Sequence, residues 1–401
     1  MKRKTFLPDG IKDYCSDFFG RSCGGCMYQN IDYAAEIKIK EEAALEALAE
    51  FASGGAYRGI EAAPRTEGYR NKMEYAFGDE HKDGTLSLGV RKRGNFYEVV
   101  SPEHCTIVDS DFRAAALAAR DFFIGSGETF YHRKLRTGTL RHLVVRKSAA
   151  TGETLVNVVT TSGIKKDLRE FTKLMTSLQL NGNICGVLHT INDAVSDTVT
   201  ADRVNVLCGR DFYLEKLCGL DFKVSAFSFF QTFPEAAGVL YGEALGLAKN
   251  FGAGCGLLYD LYCGTGTITQ IFSRAVKKAV GVEINEGAIK AARENARLNG
   301  TDNCEFFSCD VLDWLDTEEA NKQQPDVIVL DPPRDGVHPK ALKKIVCMDA
   351  PHVIYISCKP QSLARDLAEF CKSGYTPVYI KLHDMFPRTA HVETLCLLKK
   401  N

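Results

Sequence analysis

One thiol and one carboxylate near the C-terminus stand where side chains of their type need a reason. Cys358 closes the apolar run Tyr355-Ile356-Ser357, and Glu393 interrupts the apolar segment His391-Val392-Glu393-Thr394-Leu395. Most cysteines at the end of an apolar run are fillers, so the case for Cys358 rests on its place. A charge inside an apolar strand is costly unless something uses it. Three further segments end apolar runs with groups that can bind. Leu258-Tyr259-Asp260-Leu261-Tyr262-Cys263-Gly264-Thr265-Gly266-Thr267 runs from a strand pattern into a glycine turn and a helix pattern. Gly264 and Gly266 let backbone approach a ligand, and a helix start behind them offers free N–H groups. Val280-Gly281-Val282-Glu283 ends with a carboxylate able to accept two ribose hydroxyls. Val329-Leu330-Asp331-Pro332-Pro333-Arg334 ends with a carboxylate whose following prolines fix the backbone.

Similar glycine turns serve dinucleotide sites, and an isolated Asp-Pro-Pro is usually a tight turn. Here the third glycine of the dinucleotide fingerprint is missing, because Thr269 stands in its place. Three strand ends bearing the Gly264 region, Glu283 and Asp331 favour S-adenosylmethionine over a nicotinamide cofactor. A thiolate, a carboxylate and a methyl donor then imply a specific chemistry. C5 of uracil is a poor nucleophile until a thiolate adds to C6 and makes the ring an enolate. After methylation at C5, a base must remove the C5 proton and release the thiol.

The elements that must position these groups change along the chain. From about Ala226, apolar strand patterns at Leu257–Leu261, Ala279–Val282, Asp326–Leu330 and His352–Ile356 alternate with helix-favouring stretches. That alternation predicts a parallel sheet with crossover helices. Residues 69–225 read mostly as short strands: Tyr69–Phe77, Leu86–Arg91, Phe96–Val100, Leu140–Arg146 and Thr154–Thr160. Tyr33–Phe51 is an amphipathic helix pattern with Ile37, Ala44, Leu45 and Leu48 on one stripe. The expected fold is α/β, with a doubly wound Rossmann-like domain over 226–401. A β-rich central domain is expected over 31–225 and a cysteine-bearing segment over 1–30, with the 33–51 helix free to pack on the catalytic domain. There is no internal repeat or low-complexity tract.

Taken together, these segments resemble the RNA uridine-5-methyltransferase family, which methylates 23S rRNA or tRNA. The matching pieces are Phe229-Phe230-Gln231, Tyr262-Cys263-Gly264, Glu283, Asp331-Pro332-Pro333-Arg334, Ser357-Cys358, Leu363-Ala364-Arg365-Asp366-Leu367 and His391-Val392-Glu393-Thr394. They span most of residues 226–401 in the family's order. The resemblance implies the class I S-adenosylmethionine-dependent fold. It implies donor contacts from Gln231, Tyr262, Glu283 and Asp331, with Asp310 against the adenine. It also implies Cys358 as nucleophile and Glu393 as proton acceptor. Two positions depart from the family pattern: Phe233, then Pro234, and Lys359 stand where the family usually has asparagine. Neither removes a group that makes or breaks bonds. Competing readings are a methyltransferase of another nucleobase or a small molecule, with Cys358 structural, and an RNA-binding protein without activity.

Cys15, Cys23, Cys26 and Cys105 form a second constellation, with Gly24-Gly25 between the close pair. Four cysteines with a Cys-x-x-Cys pair can hold zinc or a four-iron cluster, zinc being the default by count alone. The family resemblance implies a [4Fe–4S] cluster, in a structural role, and the longer first gap is like that of the rRNA-methylating branch.

Composition restrains the rest. The chain has 401 residues, 45% hydrophobic, with a formal net charge of −1 and 15 cysteines. Neutrality leaves RNA binding to local patches. Those are Arg70-Asn71-Lys72, Arg91-Lys92-Arg93, His132–Arg136, and Leu140–Lys147, where alternation places the basic side chains on one face for phosphates. Phe229 and Arg334 are candidates for the pocket of a flipped-out base. No apolar run spans a membrane, and Met1–Phe6 is basic without an apolar stretch behind it. The expectation is a cytoplasmic monomer whose partner is RNA, 23S rRNA before tRNA, with reduced cysteines.

Overall fold

Four apolar runs in the C-terminal half become neighbouring parallel strands, Leu257–Leu261, Lys278–Glu283, Val327–Leu330 and His352–Ser357. Their residues are buried almost without interruption, as parallel strands are when helices cover both faces. The computed structural model of the chain describes residues 15–20, 22–53, 55–196, 202–251 and 256–401. Met1–Phe6 lies outside them. The chain divides into two compact units: residues 1–32, 65–215 and 223–227, and residues 33–64, 216–222 and 228–401. Residues 33–64 and 216–222 thus join the unit of 228–401, as the sequence allowed for the 33–51 helix and not for residues 52–64 or 216–222.

The second unit is built on an eight-stranded sheet. Its order is Tyr57–Glu61, Tyr375–His383, Glu393–Lys400, His352–Ser357, Val327–Leu330, Leu257–Leu261, Lys278–Glu283 and Cys304–Ser308. Glu393–Lys400 runs antiparallel to both of its neighbours. Helices Thr267–Ser273, Glu286–Asn299, Pro339–Cys347 and Pro360–Lys372 follow successive strands. Tyr57–Glu61 escaped the sequence reading because it is a short, half-buried edge strand, irregular around Gly59, which adopts φ +87°.

The helix Tyr33–Leu48 forms, but its buried stripe is Glu36, Lys40, Ala44 and Leu48, while Ile37 and Leu45 are half-buried. The four lie at i, i+4 spacing on one face. Two charged residues are tolerated there because they are paired. Lys40 Nζ lies 2.7 Å from Glu36 Oε1 and 2.9 Å from Asp384 Oδ1, and donates to the Phe386 carbonyl at 3.1 Å. Tyr33 Oη donates to Asp384 Oδ2 at 2.8 Å, and the Arg388 N–H donates to Glu36 Oε1 at 2.7 Å. The helix therefore clamps the 384–388 segment that leads toward Glu393.

The first unit carries a seven-stranded sheet ordered Val99–Val100, Leu86–Arg91, Lys72–Asp79, Leu140–Lys147, Glu153–Thr160, Asn183–Ile191 and Arg203–Gly209. All its pairings are antiparallel except that between Glu153–Thr160 and Asn183–Ile191. Helices Ser110–Phe123 and Arg169–Ser177 meet through Phe123 and Phe171, with ring centroids 5.7 Å apart. The expected phosphate-binding face on Leu140–Lys147 is not there. Arg141, His142 and Arg146 are buried. Arg141 Nη1 donates to the carbonyls of Asn192 and Ala194 at 2.6 and 2.8 Å, and Lys147 pairs with Asp109 and Asp111. A central strand covered on both sides buries every residue, so its arginines serve the fold.

Lys40→Met tests the clamp. It leaves Glu36 and Asp384 buried without their cation and is expected to cost about 3 to 5 kcal/mol in urea unfolding. A loss below about 1 kcal/mol would show that the cluster relaxes without it.

Candidate active site

Register along the parallel strands brings the sequence-selected groups to one edge. Leu261 pairs with Val282 and with Leu330, and Leu330 pairs with Tyr355. The segments just beyond these residues, bearing Gly264, Glu283, Asp331 and Cys358, therefore leave the sheet side by side. This is the edge where open α/β sheets bind ligands.

The glycine turn is tied to the next strand. The N–H groups of Tyr262 and Cys263 both donate to the Val282 carbonyl, at 2.9 and 3.0 Å. Tyr262 holds φ +80° and Gly266 φ +73°. A Cβ on Gly266 would come within 2.7 Å of the Phe306 ring, whereas one on Gly264 would meet nothing. The turn is thus packed on its inner side at Gly266 and open at Gly264. Glu283 Oε2 accepts from the Gly264 N–H at 3.3 Å and Oε1 from the Asn285 N–H at 2.9 Å. Asp310 stands past the next strand, exposed, and caps a short helix by accepting from the Leu312 N–H at 2.8 Å. Gln231 is buried and its amide donates to Tyr241 Oη at 3.2 Å.

Cys358 and Glu393 are brought together by the reversed strand. Ser357 pairs with Thr394, so the residue after Ser357 and the residue before Thr394 meet at the same end of the sheet. Burial and then the carboxylates of Glu393 and Asp331 push the Cys358 thiol up to about 11, against the Arg334 guanidinium. Burial and then Asp331 push the Glu393 carboxyl well up, again against Arg334. Asp331 is raised to about 7 by burial and by Asp260. Arg334 is exposed and lies 3.3 Å from His391 Nε2.

Asp260 is a member of this acidic group that the sequence reading passed over. It is fully buried under the glycine turn, raised to about 7 by burial, and accepts from Thr269 Oγ1 at 2.6 Å. An aspartate inside the apolar Leu257–Leu261 run was the available signal. Asp384 accepts from Lys40 and Tyr33 through both oxygens. The two departures from the family pattern have plain structural roles. Phe233 is fully buried and its carbonyl accepts from the Ala237 N–H at 3.0 Å. The exposed Lys359 uses its backbone in the turn, donating to Ser357 Oγ and accepting from Ser362 Oγ. Phe229 is 68% exposed.

In the first unit, Cys15, Cys23, Cys26 and Cys105 line one apolar pocket together with Gln29. Burial pushes the Cys15, Cys23 and Cys105 thiols up, Cys105 to about 12, with Cys26, Cys23 and Cys15 adding to the effect at Cys105. Gln29 Nε2 donates to Cys26 Sγ at 3.5 Å, and the buried Gln29 Oε1 has no partner. Among the described residues, no group of three or more His, Cys, Asp or Glu side chains has a metal-holding arrangement.

Residues 228–401 match the family model described as tRNA (Uracil-5-)-methyltransferase. An uncharacterized RNA methyltransferase of Clostridium tetani is 43% identical over 398 residues, covering 98% of this chain and 85% of that protein. One from Chlorobaculum tepidum is 33% identical over 411 residues, covering 98% and 84%. The crystal structure of the Pyrococcus abyssi tRNA (uracil-54, C5)-methyltransferase in complex with S-adenosyl-L-homocysteine superimposes with a TM-score of 0.75. It is 26% identical and covers 94% of this chain and 86% of that one. The sheet and its ligand edge are those of an S-adenosylmethionine-dependent methyltransferase acting on RNA. Within that class, the chain belongs to the tRNA (uracil-5-)-methyltransferase family. Among the described residues, no helix is long and apolar enough to cross a membrane.

The charges around Cys358 set its reactivity in the RNA-free protein. Only the thiolate reacts with iodoacetamide, and a thiol at about 11 ionises tenfold more for each unit that the pH rises toward that value. Alkylation of Cys358, followed by peptide mass spectrometry, is expected to accelerate about tenfold per unit from about pH 7 to 9, without levelling. Levelling near pH 8 would mean that Arg334 outweighs the two carboxylates.

Proposed function

We propose that the chain methylates C5 of a uridine in RNA through a covalent adduct between Cys358 and C6 of the base. The observation that supports it most is the Ser357–Thr394 pairing, which sets a thiol and a buried carboxyl side by side at the ligand edge. The Cys358 thiolate adds to C6, and the C5–C6 π electrons pass into the ring as an enolate. Bound S-adenosylmethionine supplies the electrophilic methyl that C5 takes. Glu393 then accepts the C5 proton. The released electron pair restores the C5–C6 double bond and expels the Cys358 thiolate. A carboxylate whose ionised form is disfavoured by burial is a stronger base than one in water. For the donor we assign Glu283 to the ribose hydroxyls and Asp310 to the adenine, with Gln231, Tyr262 and Asp331 as further contacts.

The RNA we favour is 23S rRNA, on the spacing of Cys15, Cys23 and Cys26. Transfer RNA is the second reading, favoured by the likeness to the Pyrococcus abyssi enzyme. For the cysteine pocket we propose a [4Fe–4S] cluster held by Cys15, Cys23, Cys26 and Cys105. Four cysteines line one apolar pocket, the ligand type such a cluster takes, and the Gln29 amide donates to Cys26 Sγ, although among the described residues their side chains do not form a metal-holding group.

The two side chains are expected to give opposite phenotypes with unmodified RNA. Cys358→Ala is expected to bind S-adenosylmethionine normally yet form no adduct and no product. Glu393→Gln keeps the shape and removes the proton acceptor, so a methylated covalent protein–RNA complex accumulates on denaturing gels. Normal turnover by either variant would sink the mechanism. Mapping 5-methyluridine in 23S rRNA and tRNA from a strain lacking the gene identifies the substrate.

Protein purified without oxygen is expected to be brown, with about four iron and about four sulfide per chain. Serine at any of the four cysteines removes the colour. Stoichiometric zinc without sulfide would replace the cluster by a zinc site.

A further inference from the structure

Two loops of the first unit present a partly exposed aromatic ring with two guanidinium groups over it. Phe96 is 41% exposed. The Arg91 guanidinium lies 4.0 Å from its ring centroid and that of Arg133 lies 5.3 Å away. Phe96 meets Tyr97 edge to face at 5.1 Å, and Tyr97 stacks on His132 at 4.1 Å with an interplanar angle of 16°. The Tyr97–His132 stack joins the 91–98 turn to the 130–137 loop. Within those two segments, Arg and Lys side chains outnumber carboxylates, of which Glu98 is the sole member. Glu98 is already engaged by Lys92 Nζ at 3.0 Å and by the Asn95 amide at 2.7 Å. Arg93, Arg133, Lys134 and Arg136 are exposed.

We propose that Phe96, flanked by Arg91 and Arg133, is a stacking platform for an unpaired base of the RNA substrate. This rests on the reading that the chain acts on RNA. A base gains from stacking on this ring and on the planar Arg91 guanidinium layered over it, and the neighbouring cations from the phosphates on either side. A duplex offers the phosphates but no free base face, so the ring selects single-stranded RNA.

The platform turn is fastened to the cysteine segment. The Gly24 N–H donates to the Arg91 carbonyl at 3.1 Å, and the Arg93 N–H donates to the Ser22 carbonyl at 3.0 Å. Cys23 and Lys92 form an isolated antiparallel bridge, and Arg93 Nη2 donates to the Cys26 carbonyl at 2.7 Å. A Cβ on Gly24 would come within 2.7 Å of the Arg91 carbonyl oxygen, so only glycine permits this approach. Whatever orders residues 22–26 therefore orders the backbone that carries Arg91 and Phe96.

The test is fluorescence anisotropy of the full-length chain with a labelled single-stranded RNA of about twelve nucleotides, and with a blunt-ended duplex of the same length. Phe96→Ala is expected to weaken single-strand binding about tenfold and to leave duplex binding and S-adenosylmethionine binding unchanged. Phe96→Trp restores the affinity. Arg133→Gln weakens binding to both RNAs and flattens the salt dependence. If Phe96→Ala binds the single strand within about twofold of the parent, or loses duplex affinity equally, the platform is wrong. A parent protein that methylates RNA while Phe96→Ala behaves like it refutes the platform and leaves the enzymatic reading standing. A parent protein that binds the single strand no better than the duplex also refutes the platform, whereas absence of RNA methylation by the parent refutes the enzymatic reading.

Discussion

The reversal of one strand is the constraint on which the catalytic half depends. A wholly parallel sheet presents only the C-terminal ends of its strands at the ligand edge. Glu393–Lys400 runs the other way between His352–Ser357 and Tyr375–His383, so its first residue faces the edge that receives the last residues of its neighbours. A side chain more than thirty positions after Cys358 thereby comes to its flank. Shifting the register by one residue would turn Glu393 to the other face of the sheet. What fixes the register is the run Thr394–Leu398, buried throughout, which cannot slip without exposing its apolar residues.

That strand also needs a fixed approach, which a polar cluster supplies. Residues 384–388 are held from the helix Tyr33–Leu48 through Lys40, Glu36 and Tyr33. Burying these charges is expensive, and a well-packed apolar cluster would give comparable or greater stability. Ionic contacts offer direction instead. Arg388 holds φ +68°, unusual for a residue with a side chain, while its N–H is aimed at Glu36. A greasy patch would leave such a turn free to shift.

The sequence made the catalytic sheet readable because parallel strands are apolar on both faces, and their ends coincide with the chemistry-bearing residues. Gly264, Glu283, Asp331 and Cys358 could be aligned without coordinates for that reason. The edge strand Tyr57–Glu61 could not, since half-buried residues carry no alternation. Periodicity also failed wherever polar residues are buried in pairs. It placed Ile37 and Leu45 on the inner stripe of a helix whose inner stripe holds Glu36 and Lys40. It turned Arg141 and Arg146 outward from a strand that is covered on both sides. In each case the partner lies far along the chain: Asp384 for Lys40, Asn192 for Arg141. A single sequence does not reveal such pairings.

The acidic character of the catalytic edge has a consequence for the order of events. Asp260, Asp331 and Glu393 all have carboxyls raised by burial, with Asp260 adding to the effect at Asp331 and Asp331 to that at Glu393. Three buried carboxylates cannot all be ionised together without a compensating cation. Arg334 is exposed and offsets only part of that charge. In the proposed reaction the missing charge is that of the sulfonium donor, which favours the ionised form of any carboxylate beside it until the methyl leaves. Once C5 carries the methyl that charge is gone, so a Glu393 ionised in the donor complex regains its tendency to take up a proton at the step that needs one. Burial, more than charge, holds Cys358 as a thiol, which slows its reaction with oxidants and electrophiles. In the proposed reaction the cost is that RNA must help to ionise the thiol. An enzyme that should react only inside a complex of donor and flipped base gains selectivity from that requirement.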